Sequence, residues 1–303
     1  MPMVSRACPL CASTDESRVF AEANFDLAKL DAFGFASRKI PEYMHYRLIE
    51  CPTCDVLYAS PVPTADSLSQ AYHDAAFDSQ DEGRYAARAY GSFLASIRSR
   101  LPDTQGALDI GAGDGAFLEE LLDAGFTDVA GVEPSAAPIA AASARVRPLL
   151  RHGLFRPDDY PAASFSLITC FQTVEHLGDP MEMCRSAHRL LKPGGAVFVI
   201  AHDRRSLSAR VLGTKSPIFD IEHLQLFSTK SARQLLERAG FDGIDLRTVR
   251  NRYPLRYWLK LFPLPTRVKG PVLRAVDKVR LGSIPIEIPA GNLAAIGYKK
   301  RPS

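Results

Sequence analysis

The sequence predicts an α/β fold in which a mostly parallel sheet is covered by helices on both faces. From residue 107 onward, apolar runs of strand length alternate with segments of helical periodicity. A glycine-rich segment, residues 109–115, joins the first apolar run to a helix, and Glu133 ends the second run. A chain of 303 residues with 46% hydrophobic residues is long enough for this domain and a smaller module.

Each element follows from local signals. Apolar runs predict strands, whereas capping residues such as Asp179 and Ser228 and stop residues such as Gly125 and Gly240 delimit helices. The predicted strands of the domain are residues 107–110, 129–132, 146–150, 165–171, 196–201, 243–249 and 292–299. Its predicted helices are residues 116–124, 136–144, 180–191 and 229–239.

The chain divides into three predicted parts. Residues 1–62 contain two Cys-x-x-Cys pairs and end in a Pro-Val-Pro connector, which fits a small independent module. Residues 63–105 are predicted to form a helical linker or cap. Residues 106–303 form the α/β domain, interrupted by a basic insertion at residues 250–283.

The glycine-rich loop predicts a nucleotide site. Glycines between a strand and a helix let a ligand approach the backbone at the open helix N-terminus. Glu133 lies twenty residues beyond Gly113, where a carboxylate can accept both hydroxyls of a ribose. A dinucleotide dehydrogenase is a competing interpretation, because Gly111, Gly113 and Ala116 also satisfy its Gly-x-Gly-x-x-Ala pattern.

Four segments in order distinguish the two interpretations. They are Asp109-Ile-Gly-Ala-Gly-Asp-Gly, Val132-Glu-Pro-Ser, Thr173-Val-Glu-His-Leu-Gly-Asp-Pro and Leu191-Lys-Pro-Gly-Gly. Together they resemble the motifs of class I, Rossmann-like methyltransferases that use S-adenosylmethionine (SAM). The resemblance covers roughly residues 100–240 and implies the SAM-contacting residues Asp109, Gly111, Ala112, Gly113, Glu133, Pro134, Phe171 and Gln172. The chain has Ser166 where the family usually has an aspartate that supports the loop.

The cysteines predict a structural zinc site. Cys8, Cys11, Cys51 and Cys54 supply four thiolates, and the two-residue spacing lets both sulfurs of a pair face one tetrahedral ion. Four protein ligands close the coordination shell, so we expect Zn²⁺ to fold the module rather than to do chemistry. A redox pair and vestigial ligands without metal are the alternatives.

Three segments accompany the zinc module: Leu57-Tyr-Ala-Ser-Pro-Val-Pro-Thr, Leu68-Ser-Gln-Ala-Tyr and Ile221-Glu-His-Leu-Gln-Leu-Phe-Ser. Together with the module they resemble methyltransferases that act on nucleotide-linked sugars and related glycans. Most relatives have a glycine after the second cysteine pair, where this chain has Asp55. The resemblance implies that Glu222 and His223 are the acid-base pair and that Tyr72 reaches the same pocket. A second aromatic residue expected nearby is Phe77, which has no hydroxyl group.

Methyl transfer to a hydroxyl or an acidic carbon needs a base. His223 is the candidate base because its loop follows a strand, at the edge where open α/β sheets bind substrate. Packing or helix capping is the alternative role for this histidine. His176, next to Glu175, also follows a strand, and we expect it to position the substrate or to take part in catalysis.

The expected partner is a small-molecule acceptor, specifically a sugar or glycan precursor methylated on oxygen or carbon. The basic stretch from Arg247 to Leu281 carries ten Lys or Arg against the single acid Asp277. This composition suggests an amphipathic helix over the active site, peripheral contact with a membrane, or a phosphate or RNA contact, although nucleic acid is not the expected partner.

The N-terminal residues lack a signal-peptide pattern and no apolar run is long enough to span a bilayer, so the sequence predicts a cytoplasmic protein. An RNA methyltransferase and a non-catalytic module that binds zinc or SAM stay as alternative functions. The first alternative predicts that the protein is retained on RNA, and the second predicts that it transfers no methyl group.

Overall fold

The computed structural model describes residues 2–25, 43–73, 80–262 and 266–302. The strands are β1 (Met3–Val4), β2 (Val19–Ala21), β3 (Leu48–Glu50), β4 (Leu57–Ala59), β5 (Val62–Pro63), β6 (Gln105–Ile110), β7 (Thr127–Glu133), β8 (Leu150–His152), β9 (Phe165–Phe171), β10 (Leu191–His202), β11 (Gln225–Leu226), β12 (Asp242–Pro254) and β13 (Pro285–Tyr298). The helices are α1 (Ala65–His73), α2 (Gln80–Gly91), α3 (Leu94–Arg98), α4 (Ala116–Asp123), α5 (Ala136–Ala141), α6 (Pro180–Leu190), α7 (Leu207–Leu212), α8 (Thr229–Arg238), α9 (Leu255–Leu261) and α10 (Thr266–Lys278).

A seven-stranded sheet forms the centre of the molecule, in the order β12-β13-β10-β9-β6-β7-β8. The strands from β10 to β8 are parallel, and β13 pairs antiparallel with both β10 and β12. The predicted α/β class with a mostly parallel, Rossmann-like sheet is therefore confirmed.

Helices cover both faces of this sheet. The neighbouring β9 residues Leu167 and Ile168 point to opposite faces, and both side chains are fully buried. Ile168 belongs to the apolar cluster that includes α6 and α8, whereas Leu167 belongs to the cluster that includes α2 and α4. The near-continuous apolar runs of β9 and β10 follow from this burial on two sides.

The bounds of several predicted strands differ from those in the structure. The third strand of the domain was placed at residues 146–150, but Arg147–Leu149 form a 3-10 turn with proline in its first turn, and the strand is β8. The last two strands are longer than predicted and pair as far as Pro254 and Pro285. Residues 250–254 of the predicted insertion thus belong to β12.

The small sheet of the N-terminal module includes a strand from the α/β domain. The sheet has the order β11-β4-β3-β2, and β11 comes from the chain between β10 and α8. Arg6 adds contacts across the same boundary, because its guanidinium donates to the carbonyl of Leu224 at 2.5 Å and to Gln225 Oε1 at 3.0 Å. The α/β domain thus completes the module. Among the described residues, no helix is long and apolar enough to cross a membrane.

Candidate functional site

A cavity of about 610 Å³ lies at the carboxyl ends of the parallel strands. All of the predicted SAM-contacting residues line it: Asp109, Gly111, Ala112, Gly113, Glu133, Pro134, Phe171 and Gln172. Three of the four predicted catalytic residues, His176, Glu222 and His223, line the same cavity. The structure therefore brings the two sets together in one space.

The glycine loop leaves its backbone open to this cavity. Gly111 and Gly113 have φ angles of 76° and 55°, which favour glycine. A Cβ atom at Gly111 would lie 2.2 Å from Thr173 Oγ1, so the loop packs directly on the segment after β9. A Cβ at Gly113 would meet nothing within 4 Å, and this open space is where a ligand can approach the backbone.

Two buried carboxyl groups support the loop. Glu133 Oε2 accepts the Gly113 N–H at 2.9 Å, and its Oε1 accepts the Ser135 N–H at 2.9 Å. Burial raises the pKa of Glu133 to about 7. Asp109 accepts the Thr169 hydroxyl at 2.6 Å, and burial raises its pKa to about 6. A ligand that donates to these oxygens would stabilise their ionised forms.

The end of β9 contributes an aromatic wall and a strained residue. The ring of Phe171 contacts those of Phe117 and Phe198 edge to face, with centroids 4.5 and 4.8 Å apart. Gln172 has a φ of 52° although it is not glycine. Its buried Nε2 has no hydrogen-bond partner among the residues that the structure describes. Gln172 also lines the cavity, so part of this residue lies where a ligand can contact it.

Three histidines meet at the other end of the cavity. The ring centroids of His176 and His223 are 5.0 Å apart, and those of His202 and His223 are also 5.0 Å apart. Glu222 Oε2 lies 3.9 Å from His176 Nδ1. His223 Nδ1 donates to the Ile218 carbonyl at 2.8 Å, which leaves Nε2 with the lone pair. Burial, followed by the charge of His202, lowers the pKa of His223.

Sequence reasoning missed His202 and its contact with Glu175. His202 ends β10 and lines the cavity, and its Nδ1 lies 2.9 Å from Glu175 Oε1. Glu175 is fully buried, and its Oε2 has no hydrogen-bond partner in the described part of the chain. Burial would raise the pKa of Glu175, but its hydrogen bond to His202 and the neighbouring histidines lower it to about 2. The signal that could have found this pair is their position after adjacent parallel strands.

The remaining predicted contacts are less complete. Tyr72 lies in α1, and its side chain is outside the described residues, as is Phe77. Leu68 and Ser69 of α1 line the cavity. No adenine contact was assigned from sequence; Leu154 and Phe155, in the loop after β8, line the cavity and offer apolar groups there.

Ser166 stands where the family usually has an aspartate, and the structure places it away from the glycine loop. It lies at the start of β9, next to the amino end of β6 and away from the cavity. Its hydroxyl donates to Asp103 and to the Gln105 carbonyl, and Lys192 Nζ lies 2.9 Å from Asp103 Oδ1. The serine is part of a polar link between strand starts.

The four cysteines of the N-terminal module converge. Their Sγ atoms all lie within 4.8 Å of one another, with Cys8 to Cys54 at 3.4 Å and Cys11 to Cys51 at 3.5 Å. Four thiolates at about 2.3 Å from one tetrahedral zinc would be about 3.8 Å apart. The donor set and its spacing therefore fit a closed Zn²⁺ site.

Asp55 takes the place of the glycine that most relatives have. Its φ of 64° is the left-handed conformation that a knuckle requires, and aspartate tolerates it better than most residues. Its carboxylate also forms ion pairs with Arg204 and Arg205, which follow β10. The substitution thus links the knuckle to the α/β domain.

Comparison with known protein families gives a match over more than half of the chain. The family model described as "Methyltransferase domain" matches residues 82–246. This range contains the glycine loop, Glu133 and the histidine cluster, and leaves out the four cysteines and the insertion after β12.

Curated relatives match shorter segments. The chain is 34% identical over 107 residues to a protein of Pseudomonas aeruginosa (strain UCBPP-PA14) named ubiquinone biosynthesis O-methyltransferase, over 32% of this chain and 44% of that protein. It is 30% identical over 139 residues to a protein of Mycolicibacterium smegmatis named probable S-adenosylmethionine-dependent methyltransferase, over 46% of this chain and 52% of that protein. The chain thus spans about half, or less, of the length of these relatives.

Solved structures resemble the chain over a larger share. A SAM-dependent methyltransferase of Thermotoga maritima, described as a possible histamine N-methyltransferase, is 22% identical with a TM-score of 0.47, covering 72% of this chain and 91% of that one. Phosphoethanolamine N-methyltransferase 2 of Haemonchus contortus is 16% identical with a TM-score of 0.47, covering 81% and 63%.

Proposed function

The chain belongs to the SAM-dependent methyltransferase family, and from this premise we propose that it methylates a small-molecule acceptor, a sugar or glycan precursor, on oxygen or carbon. One observation carries the proposal: the glycine loop with Glu133 and the histidine cluster line the same cavity. Methyl transfer requires this arrangement, because donor and nucleophile must be aligned in one space.

The loop end of the cavity is the proposed SAM site. The open backbone at Gly113, the Glu133 carboxylate and the unpaired Gln172 amide fit a ligand with hydroxyl and charged groups. In the proposal, Glu133 accepts the ribose hydroxyls, and Asp109 and Pro134 shape the pocket beside it. Bound SAM supplies a methyl group on a positively charged sulfur.

His223 is the proposed base at the other end. Its Nε2 carries the lone pair, and its lowered pKa keeps the ring neutral near pH 7. The acceptor's O–H or C–H proton moves to Nε2, and the electron pair left behind forms the bond to the methyl carbon. Bound SAM would supply this methyl group, and its sulfur would take the electrons of the broken carbon–sulfur bond. Glu222 and His176 orient the acceptor and tune this transfer, and Tyr72 is proposed to reach the same pocket.

The pair of Glu175 and His202 complements this base. A buried carboxylate that accepts a histidine Nδ1–H holds the ring in a fixed orientation. In our proposal, His202 then donates a hydrogen bond to the negative charge that develops on the acceptor as His223 takes its proton. Glu175 acts through His202 and is a positioning residue.

A sugar or glycan precursor is the proposed acceptor because the cavity offers several polar side chains for hydroxyl groups, among them Asp179, Glu182 and Asp220. The resemblance of the N-terminal region to zinc-containing sugar methyltransferases supports the same class. A phenol is the second candidate, because Tyr257 and Leu261 line the cavity and because a relative that matches over 107 residues is named ubiquinone biosynthesis O-methyltransferase. Peripheral membrane contact through the basic insertion belongs to this proposal.

Calorimetry with SAM, followed by transfer of a labelled methyl group, tests the proposal. The protein is titrated with SAM and then incubated with labelled SAM and two probe sets, nucleotide-linked deoxysugars and catechol-type phenols. Binding of SAM and label on one probe set support a methyltransferase of that acceptor class. Zinc-loaded, folded protein that does not bind SAM would rule out the enzyme.

We also propose that Cys8, Cys11, Cys51 and Cys54 hold a structural Zn²⁺ ion. The convergence of the four sulfur atoms supports it, because three of their pairs lie 3.4 to 3.8 Å apart. A closed site with four protein ligands leaves no position for substrate, so its role is to stabilise the small sheet.

A further inference from the structure

The insertion after β12 presents an unusually basic surface. We call α9, α10 and the residues that connect them to β12 and β13 the basic hairpin. From residue 247 to residue 281 the sequence has ten Lys or Arg and one acid. Arg250 pairs with Glu287 and Arg256 pairs with Asp277. Arg267, Arg274 and Lys278 on α10 are exposed.

The same surface is also apolar. None of the described side chains of α10 is buried, although Val272, Leu273 and Val276 give the helix an apolar face. Phe262 and Val279, which flank α10, are 55% and 60% exposed. The apolar side chains that are exposed in and beside the hairpin are Phe262, Val268, Val279, Leu281, Ile284 and Ile288. A helix of a globular protein normally buries one face, so α10 is expected to have a partner.

We propose that the basic hairpin docks on an anionic phospholipid surface, with its apolar side chains in the headgroup region and its cations on lipid phosphates. A helix with exposed apolar side chains flanked by Lys and Arg is the composition that binds in this way. The evidence for docking comes from the hairpin alone, whereas the role of docking in catalysis rests on the proposed function.

Charge argues against a second copy of the chain as the partner. A twofold interface places the same patch against itself, so the excess cations of the two hairpins would repel each other. Nucleic acid fits less well, because single strands are bound by aromatic rings that stack on bases. Tyr253 and Tyr257 are buried, and the exposed apolar side chains of the hairpin are aliphatic except for Phe262.

The docking surface is continuous with the cavity. Tyr257 and Leu261, on α9, line the cavity that holds the histidine cluster. Trp258 Nε1 donates to the Ile286 carbonyl at 2.9 Å and fixes α9 to β13. Lys269 Nζ donates to the Lys260 carbonyl at 2.8 Å and joins α10 to α9. A docked hairpin would therefore open the cavity toward the lipid surface, which suits an acceptor whose apolar part stays in the membrane.

Vesicle cosedimentation tests the docking. The probes are vesicles of phosphatidylcholine alone and of phosphatidylcholine mixed with phosphatidylglycerol, at low and at physiological ionic strength. The test variant is Arg267→Gln/Arg274→Gln/Lys278→Gln. The matched control, Arg185→Gln/Lys230→Gln/Arg233→Gln, removes three exposed cations from α6 and α8.

We expect binding to the anionic vesicles alone, weakened by salt. Each Lys or Arg near an anionic surface contributes about fivefold, so the test variant should bind about 100-fold more weakly and the control should bind like the wild type. Wild-type affinity in the test variant, equal binding to neutral vesicles, or no binding would overturn the docking. Retention on total tRNA without vesicle binding, or a dimer that Phe262→Ser dissociates, would identify the other partners and overturn it too. SAM calorimetry on the same samples separates this result from failure of the proposed function.

Discussion

Glu133→Gln should stabilise the protein at pH 8 and weaken SAM binding. Burial holds the pKa of Glu133 at about 7, compared with 4.5 in an exposed chain. This difference costs the ionised folded protein about 3 kcal/mol at pH 8 and less than about 1 kcal/mol at pH 5, because ionisation in the unfolded chain begins near pH 4.5. The folded protein therefore loses stability as pH rises, because its carboxyl group holds the proton more tightly than the same group in the unfolded chain.

The glutamine avoids this cost but has one acceptor for the two N–H groups of Gly113 and Ser135. The unmatched donor costs about 1–2 kcal/mol. The net effect is stabilisation by about 1–2 kcal/mol at pH 8, a few degrees in melting temperature, and no stabilisation at pH 5. Thermal unfolding at both pH values measures it, with the exposed Glu237→Gln as the control.

SAM affinity should move in the opposite direction. A hydrogen bond to a charged group contributes about 1.5–3 kcal/mol, so losing the carboxylate should weaken SAM binding about 10- to 100-fold. Calorimetry at pH 8 checks this on the same samples. An affinity within about twofold of the wild type would refute the ribose assignment. A melting temperature at pH 8 below that of the wild type would refute the desolvation argument.

Three further predictions concern the loop, the base and the metal. Gly111→Ala should abolish SAM binding, because its Cβ would lie 2.2 Å from Thr173 Oγ1. Gly125→Ala is the control: Gly125 has a φ of 82° and open space at its Cβ position, so this variant measures the backbone cost alone. Equal losses of stability in the two variants would contradict the clash. The rate of methyl transfer should fall at acid pH with an apparent pKa below 6.5, because burial lowers the pKa of His223. In His223→Gln this pH dependence should disappear and the rate should drop about 100- to 10,000-fold. An unchanged pH–rate profile in the variant would exclude His223 as the base. Elemental analysis should find one zinc per wild-type chain and almost none in Cys51→Ser, and equal metal content would exclude the zinc site.

The fold was predictable because its signals are local. Alternating apolar runs, the capping residues Asp179 and Ser228 and the glycine loop each determine the backbone within a few residues. Errors arose where an apolar pattern had two explanations. Val146 is fully buried, yet it precedes a 3-10 turn rather than occupying a strand, because Pro148 cannot donate to a sheet ladder.

The site was predictable where a motif carries it and was missed where topology does. The glycine loop and Glu133 lie within 25 residues of each other in sequence, so spacing was enough to connect them. Glu175 and His202 are 27 positions apart and touch because β9 and β10 are parallel neighbours. The residues around His202 in the sequence do not indicate a buried carboxylate partner. The contact depends on the order of the strands, which is a nonlocal property of the fold.

The shared strand β11 suggests why a zinc module accompanies this cavity. Gln225 begins β11 and pairs with Tyr58 of β4, only two positions after His223. Gln225 Nε2 also donates to the carbonyls of Val174 and Leu177, on either side of His176. The small sheet therefore contacts both the segment that carries His176 and the segment that carries His223. Zinc that orders β3 and β4 would also fix the position of the proposed base. Loss of the metal should therefore impair methyl transfer more than SAM binding, because the glycine loop follows β6, which is not a strand of the small sheet.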